Sequence, residues 1–443
     1  MSKFLAERIA EFVRDFNYKD LNSHAIKEAK RRIIDSIAVA LPALKEEPIK
    51  KIRNVVEKTS SERSATIWGS GKKTSLEYAS FVNSAMTRYY DYNDTYLSKE
   101  ALHPSDCIAG LMAVAENLDL EGKDLILAIN IAYEIICKLA DAASIRERGW
   151  DHISYIAIGT SAALGKLMDL STEKITQAIN LTASNVITLR QTRIGELSMW
   201  KGLSAPNAVR NAVFYTLLAE QGVTGPAPVF EGERGFFKQI SGEFDLDLKT
   251  SFKIIETSIK NYPVEYHSMG AAEAAFKIRD RIEIENIESI EIDTFKVSYN
   301  IIVKDPEKWD PKTKETADHS LPFIVAYILA KGKIEVDSYY DLGDPLVKSL
   351  IKKMKIAVDE RLDKLYPEAV PARITIKSKE KTVSEEVIYP KGHFKNPLSD
   401  HELENKFKKM IEPLLKDRTK DLLKDLNNIE NKKVKDVVEQ LIF

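Results

Sequence analysis

The sequence predicts a mainly α protein with a smaller α+β domain: a large all-helical domain, made of the N-terminal part plus the C-terminal tail, and an inserted α+β domain. Three observations predict it. Apolar residues recur at three- and four-residue spacing through most of residues 1–262, strand-like alternation sets in after Pro263, and charged amphipathic periodicity returns from 392 to Phe443. The boundaries are therefore 1–262 with 392–443 for the helical domain, and 263–391 for the α+β domain. A chain of 443 residues also exceeds one ordinary core, which favours two domains.

Taken in order, the helical spacing predicts helices over 4–16, 25–41, 104–118, 123–140, 155–168 and 203–221. Thr74 and Glu77 have capping-box spacing ahead of a helix at 75–89, and Gly222 ends the run before it. The piece ATIW at 65–68 reads as a short β-prone stretch. In the inserted part a helical run at 269–280 precedes IESIEIDTFKV, which alternates with strand period. MKIAV, ARITIKS and VSEEVIY are strand-length and rich in β-branched residues, with helical runs near 320–331 and 345–353 between. That order predicts helices on one face of a small sheet.

Composition excludes several classes of function. Sixty-five basic residues against 67 acidic ones leave a net charge of -2, so the chain lacks the basic footprint of a nucleic-acid binder. The two cysteines, Cys107 and Cys137, fall in apolar helix-like runs and read as small hydrophobes in a reducing compartment. They cannot supply three thiolates to an iron–sulfur cluster, and no Cys-x-x-Cys pair is present for zinc. The first residues, MSKFLAERIAEFVRDF, are amphipathic rather than a signal peptide or membrane span, so a cytoplasmic protein with no membrane partner is expected.

Chemistry is sought at the seven histidines. His103 lies in YYDYNDTYLSKEALHPSD, where Asp91 and Thr95, four apart at the end of a predicted helix, would share a face. His152 directly precedes a helix start, where backbone N–H groups favour an anion, and His267 also opens a helical stretch. His319, in ETADHSLPF, suits a cap or a site residue, whereas His24, His393 and His401 read as surface or capping residues. Arg190, Arg193 and Lys201 cluster between two apolar helices beside Trp200, an arrangement suited to a compact polycarboxylate because guanidinium pairs bidentately with carboxylate. Neither a phosphate-binding glycine fingerprint nor a Gly-x-Ser-x-Gly elbow is present.

Five separated runs carry a family resemblance: DYNDTYLSKEALHPSD; GELSMWKGLSAPNAVRNAVF with GVTGPAPVFEGERGFFKQ; KNYPVEYHS; PEKWDPKTKETADHSLPF; and YPKGHFKNPLSDHELENKF. In this order they resemble the MmgE/PrpD family. The second and fourth look more like dehydratases acting on 2-methylcitrate than like cis-aconitate decarboxylases or iminodisuccinate epimerases. The resemblance implies a homodimer, a small tricarboxylate substrate, no metal or other cofactor, a site in a cleft between domains, and a place in propionate catabolism through the methylcitrate cycle. It also implies a catalytic set of His103, His152, Asp91, Thr95 and Lys201 and a pocket role for His267, taken as substrate-binding; Arg193 and His319 join as substrate-binding candidates from their own settings. Phe323 stands where relatives are expected to carry a tyrosine. Decarboxylation of cis-aconitate is the alternative within the family, and a non-catalytic ligand-binding or scaffold protein is the alternative outside it.

Overall fold

The computed structural model describes residues 3–195 and 197–443, and the chain divides into two compact units. Met1–Thr192, Gly202–Thr257 and Ser399–Phe443 form the first; Arg193–Lys201 and Ser258–Leu398 form the second. The protein is mainly α with a smaller α+β part. Among the described residues no helix is long and apolar enough to cross a membrane.

The first unit contains the helices Leu5–Asp15, Ser23–Ala40, Leu76–Tyr89, Ile108–Asn117, Gly122–Ala142, Ile153–Leu167 and Ser204–Glu220, close to the predicted spans. Two of these, Gly122–Ala142 and Ile153–Leu167, are buried almost all round, as helices apolar on every side must be. They pack together at Gly159, where a Cβ would lie 2.4 Å from the Ile136 side chain and 3.0 Å from the Ala132 carbonyl. Only glycine permits that approach.

The expected capping box does not form. Thr74 lies in strand β2 (Lys73–Ser75), antiparallel to β1 (Ser64–Thr66), and its hydroxyl donates instead to the Val56 carbonyl at 2.9 Å. Gly222 follows the helix Ser204–Glu220 with φ +89° and bonds back to the Ala219 carbonyl. In the tail, Asp400–Leu415 packs on Ser23–Ala40. There the buried Lys406 ammonium sits 2.6 Å from Asp35 and 3.1 Å from the Tyr92 carbonyl, 3.6 Å from the Tyr92 ring centroid. A buried ammonium is tolerated because carboxylate, carbonyl and π face all meet it.

The second unit is built on a four-stranded sheet in the order β4-β3-β5-β6, with β3 Ile287–Thr294, β4 Met354–Val358, β5 Ala372–Ser378 and β6 Thr382–Val387. β3 runs parallel to β4 and antiparallel to β5, which pairs antiparallel with β6. Register sets Ile290 against Ile376 and Ile292 against Ile374, all buried. The helix Met269–Arg279 covers β5 and β6, close enough at Gly270 that a Cβ would stand 2.3 Å from the Val370 carbonyl. The alternation read over IESIEIDTFKV stops at Thr294, because the Asp363 carboxylate takes the Lys296 N–H at 2.8 Å and starts the helix Lys296–Ile302.

His393 is not a surface residue. It is 1% exposed, packed by Tyr389 and Phe394, and its Nδ1 accepts the Lys395 N–H at 3.1 Å, which requires that nitrogen to be unprotonated. Burial, with a further push from the Lys395 ammonium, lowers its pKa to about 4. An unfolded histidine titrates near 6.5. Between about pH 6.5 and 4 the unfolded chain therefore takes a proton that the folded chain refuses, and stability falls as pH drops through that window. In His393→Gln this dependence, worth about 3 kcal/mol across the window, should vanish from urea unfolding curves; an unchanged slope would place its origin elsewhere.

Candidate active site

In the first unit the helix Leu76–Tyr89 ends before the loop that carries Asp91, so Asp91 and Thr95 do not share a helical face. Asp91 turns left-handed at φ +51°, a conformation aspartate tolerates better than most residues, and Arg88 donates to its Oδ1 at 2.6 Å. The loop then folds so that the Thr95 hydroxyl lies 3.2 Å from His103 Nδ1, and His103 Nε2 lies 3.8 Å from Asp91 Oδ1. His103 Nδ1 is also 2.6 Å from the Asp94 carbonyl. A carbonyl only accepts, so Nδ1 carries the proton and Nε2 is the nitrogen whose proton can come and go.

Asp94, part of the same motif, faces the core. Its carboxylate accepts from the Tyr133 hydroxyl at 2.8 Å and the Ser105 N–H at 3.0 Å, with Arg32 at 3.5 Å. Burial pushes this carboxyl up, and the Arg32 guanidinium offsets part of the effect. Asp94 thus fixes the loop, while only its carbonyl serves His103.

His152 takes the N-cap position of Ile153–Leu167, and its ring centroid is 6.2 Å from that of His103. Its Nδ1 lies 3.0 Å from Asp151 Oδ1, the same oxygen that accepts the His152 backbone N–H at 2.9 Å. Asp151 is fully buried and held by Thr188 through its N–H and by Ser204 at its other oxygen. That carboxylate, within ion-pair distance of Nδ1, favours a proton on Nδ1 and leaves Nε2 as the exchanging nitrogen.

The second unit collects the other candidates. Lys201, in the turn Met199–Gly202, places its ammonium 3.6 Å from Asp318 Oδ1 and 3.4 Å from His319 Nδ1. His319 Nδ1 is 2.5 Å from Asp318 Oδ1, and Lys314 reaches Asp318 Oδ2 at 3.0 Å. His319 is not the cap of the helix Leu321–Lys331; Ser320 is, accepting the Phe323 N–H at 3.1 Å. Burial alone would raise the Asp318 carboxyl, but Lys201 first, then Lys314 and His319, hold it well below the usual range.

His267, in the turn Tyr266–Ser268, gives Nδ1–H to Glu265 at 2.6 Å and has the Tyr366 hydroxyl 3.4 Å from Nε2, so protein groups lie at both nitrogens. The Glu265 N–H donates to the Asp318 carbonyl at 3.0 Å, joining the two histidine pairs. Arg193 is tethered to the Lys201 carbonyl at 3.5 Å. Phe323 is buried beside Tyr327 and Tyr339 and lines a cavity of about 250 Å³ with Trp309, Pro311 and Leu342. Cys107 and Cys137 are free and buried, and burial pushes both thiols up, in keeping with inert packing residues.

Asp151, Glu265 and Asp318 were not among the residues singled out by sequence. A signal existed: WDHIS, VEYHS and ADHSL each put an acid one or two residues before the histidine it holds. A buried carboxylate beside Nδ1, like the Asp94 carbonyl beside that of His103, gives an imidazole a defined tautomer.

Histidines with assigned tautomers thus stand in a helical unit, and a lysine-rich polar cluster in an α+β unit. The chain belongs to the MmgE/PrpD family: the model of its N-terminal domain matches residues 7–249 and that of its C-terminal domain residues 262–428. It is 28% identical over 420 residues to the mitochondrial 2-methylcitrate dehydratase of Yarrowia lipolytica, covering 88% of this chain and 80% of that protein. Identity is also 28% to the 2-methylcitrate dehydratase of Escherichia coli K12, covering 85% of this chain and 84% of the relative. The cis-aconitate decarboxylase of Mus musculus is 26% identical, over 97% of this chain and 92% of its own length.

Because Asp318 is the buried counter-charge of both Lys201 and Lys314, Asp318→Asn should cost about 3–5 kcal/mol in denaturant unfolding. A loss below about 1 kcal/mol would mean that the lysines find other partners.

Proposed function

We propose that this enzyme eliminates water from 2-methylcitrate to give 2-methylaconitate, by acid–base catalysis. The observation that carries the reading is the pair of histidines in the first unit, rings 6.2 Å apart and each anchored at Nδ1, in a chain similar to 2-methylcitrate dehydratases over most of its length. Elimination removes a proton from the carbon next to one carboxylate and hydroxide from the neighbouring tertiary carbon. The carbon-bound proton is weakly acidic until cations neutralise that carboxylate, and hydroxide leaves poorly unless protonated.

His103 and His152 carry the two proton transfers through Nε2, one taking the carbon-bound proton and the other giving a proton to the departing hydroxyl. The products are the unsaturated acid and water. Asp151 holds His152 in the Nδ1–H tautomer and stabilises its protonated ring, while Thr95 and the Asp94 carbonyl orient His103. Asp91 stabilises positive charge on His103 Nε2. Lys201 and Arg193, with His319 and His267, provide the positive and hydrogen-bonding groups for the substrate carboxylates.

Decarboxylation of cis-aconitate is the second reading, favoured by the span of the match to the mouse decarboxylase. It needs a similar tricarboxylate pocket and a proton donor. Incubating the purified protein with 2-methylcitrate, citrate and cis-aconitate separates the two. Absorbance of an unsaturated acid rising on 2-methylcitrate supports dehydration; carbon dioxide from cis-aconitate supports decarboxylation.

His152→Gln should lower turnover by about 10²–10⁴-fold while moving the unfolding midpoint only a few degrees; wild-type turnover would remove His152 from the scheme. Asp151→Asn should both slow turnover and shift the basic or acidic limb of its pH profile, because the amide no longer stabilises a protonated ring. A slower enzyme with an unmoved profile would reduce Asp151 to a packing residue.

A further inference from the structure

A lysine ammonium buried without an anion is costly, so where each buried lysine of the second unit finds its counter-charge is a complete accounting question. Lys201, Lys260, Lys308 and Lys314, none more than 8% exposed, gather about two buried carboxylates, Glu265 and Asp318. Asp305 and Glu307 are further acidic neighbours of Lys308. Three of the lysines are held. Lys201 and Lys314 lie 3.6 and 3.0 Å from Asp318, and Lys260 donates to the Val264 carbonyl at 3.1 Å.

Lys308 differs. It is 3% exposed, yet among the described residues its Nζ has no hydrogen bond and no carboxylate within ion-pair distance. Its backbone, by contrast, is firmly fixed. The N–H donates to the Asp305 carbonyl at 3.0 Å, and its carbonyl accepts from the hydroxyl of Ser320, the residue after His319. Burial lowers its pKa, and Asp318, then Asp305 and Glu265, offset part of that effect, which places the ammonium in the same polar cluster. The side chain is therefore rooted beside His319, with an ammonium that no described residue pairs directly.

We infer that Lys308 is a further substrate-binding residue whose ammonium pairs with one carboxylate of a polycarboxylate. The inference rests on the polycarboxylate reading above. One carboxylate of the ligand would give the Lys308 ammonium the direct anionic partner that it lacks among the described residues.

The test measures binding of tricarballylate, a tricarboxylate without a hydroxyl to eliminate, by calorimetry on the full-length protein and its Lys308→Gln and Lys308→Arg variants. Lys308→Gln should weaken tricarballylate by roughly 100-fold, with Lys308→Arg retaining most of the affinity. The loss should be much smaller for acetate. In turnover the change should fall mainly on KM. The unliganded Lys308→Gln protein should melt no lower than wild type, since an unpaired buried charge has been removed; a structural lysine would instead lower the midpoint.

Equal tricarballylate affinity in wild type and Lys308→Gln overturns the inference and leaves the dehydratase reading intact. Lys308-dependent tricarballylate binding by a protein that turns over none of the three acids supports the inference and sinks the dehydratase reading. Failure of the wild type to bind tricarballylate overturns the inference.

Discussion

The carboxylate of Asp318 faces the ammonium groups of Lys201 and Lys314 and the Nδ1 proton of His319, and the polar interior of the second unit is arranged about it. Its backbone carbonyl also takes the Glu265 N–H, which brings the His267 pair into the same network. One acid with three cationic or hydrogen-bonding neighbours is a stable arrangement only because the groups were desolvated together during folding and are already oriented. The first unit uses the same device with fewer charges, Asp151 under His152 and a bare carbonyl under His103.

That difference gives the two first-unit histidines unequal chemistry. A carboxylate beside Nδ1 stabilises a protonated ring through its full negative charge, whereas a carbonyl offers only a dipole. His103 has Asp91 instead, 3.8 Å away on the Nε2 side, and Asp91 is itself engaged by Arg88. Two imidazoles with the same tautomer therefore feel different fields. Acid–base pairs work when environments separate the affinities of two groups for a proton.

Sequence periodicity located the main helices and every strand of the larger sheet, because burial of one face imposes a 3.6- or 2-residue spacing that composition preserves. It failed where local chemistry overrides that spacing. The helix Thr172–Asn185 was not read, since its threonines and asparagines blur the apolar stripe, although Ser171 caps it by accepting the Lys174 N–H. The strand read over IESIEIDTFKV was too long because a cap supplied by Asp363, distant in sequence, ends it. Among site residues, the histidines and Lys201 stood out by their loop settings. Asp151 and Asp318 drew no reading, since nothing in a single sequence shows that an acid next to a histidine is buried beside its ring. His393 was misread for the same reason: its run of lysines, prolines and a glycine suggests solvent, while Tyr389 and Phe394 close over it only in the folded chain.

The first unit is assembled from segments that lie on both sides of the second in the chain, and its last piece, Ser399–Phe443, docks on Ser23–Ala40 through the buried pair of Lys406 and Asp35. During synthesis the ribosome must therefore deliver all of the second unit before the first can close. Until then Asp35 waits in a nascent helical layer without its cation, so the α+β unit has the opportunity to fold first, and the helical unit is the one exposed to chaperones and to association with neighbouring nascent chains.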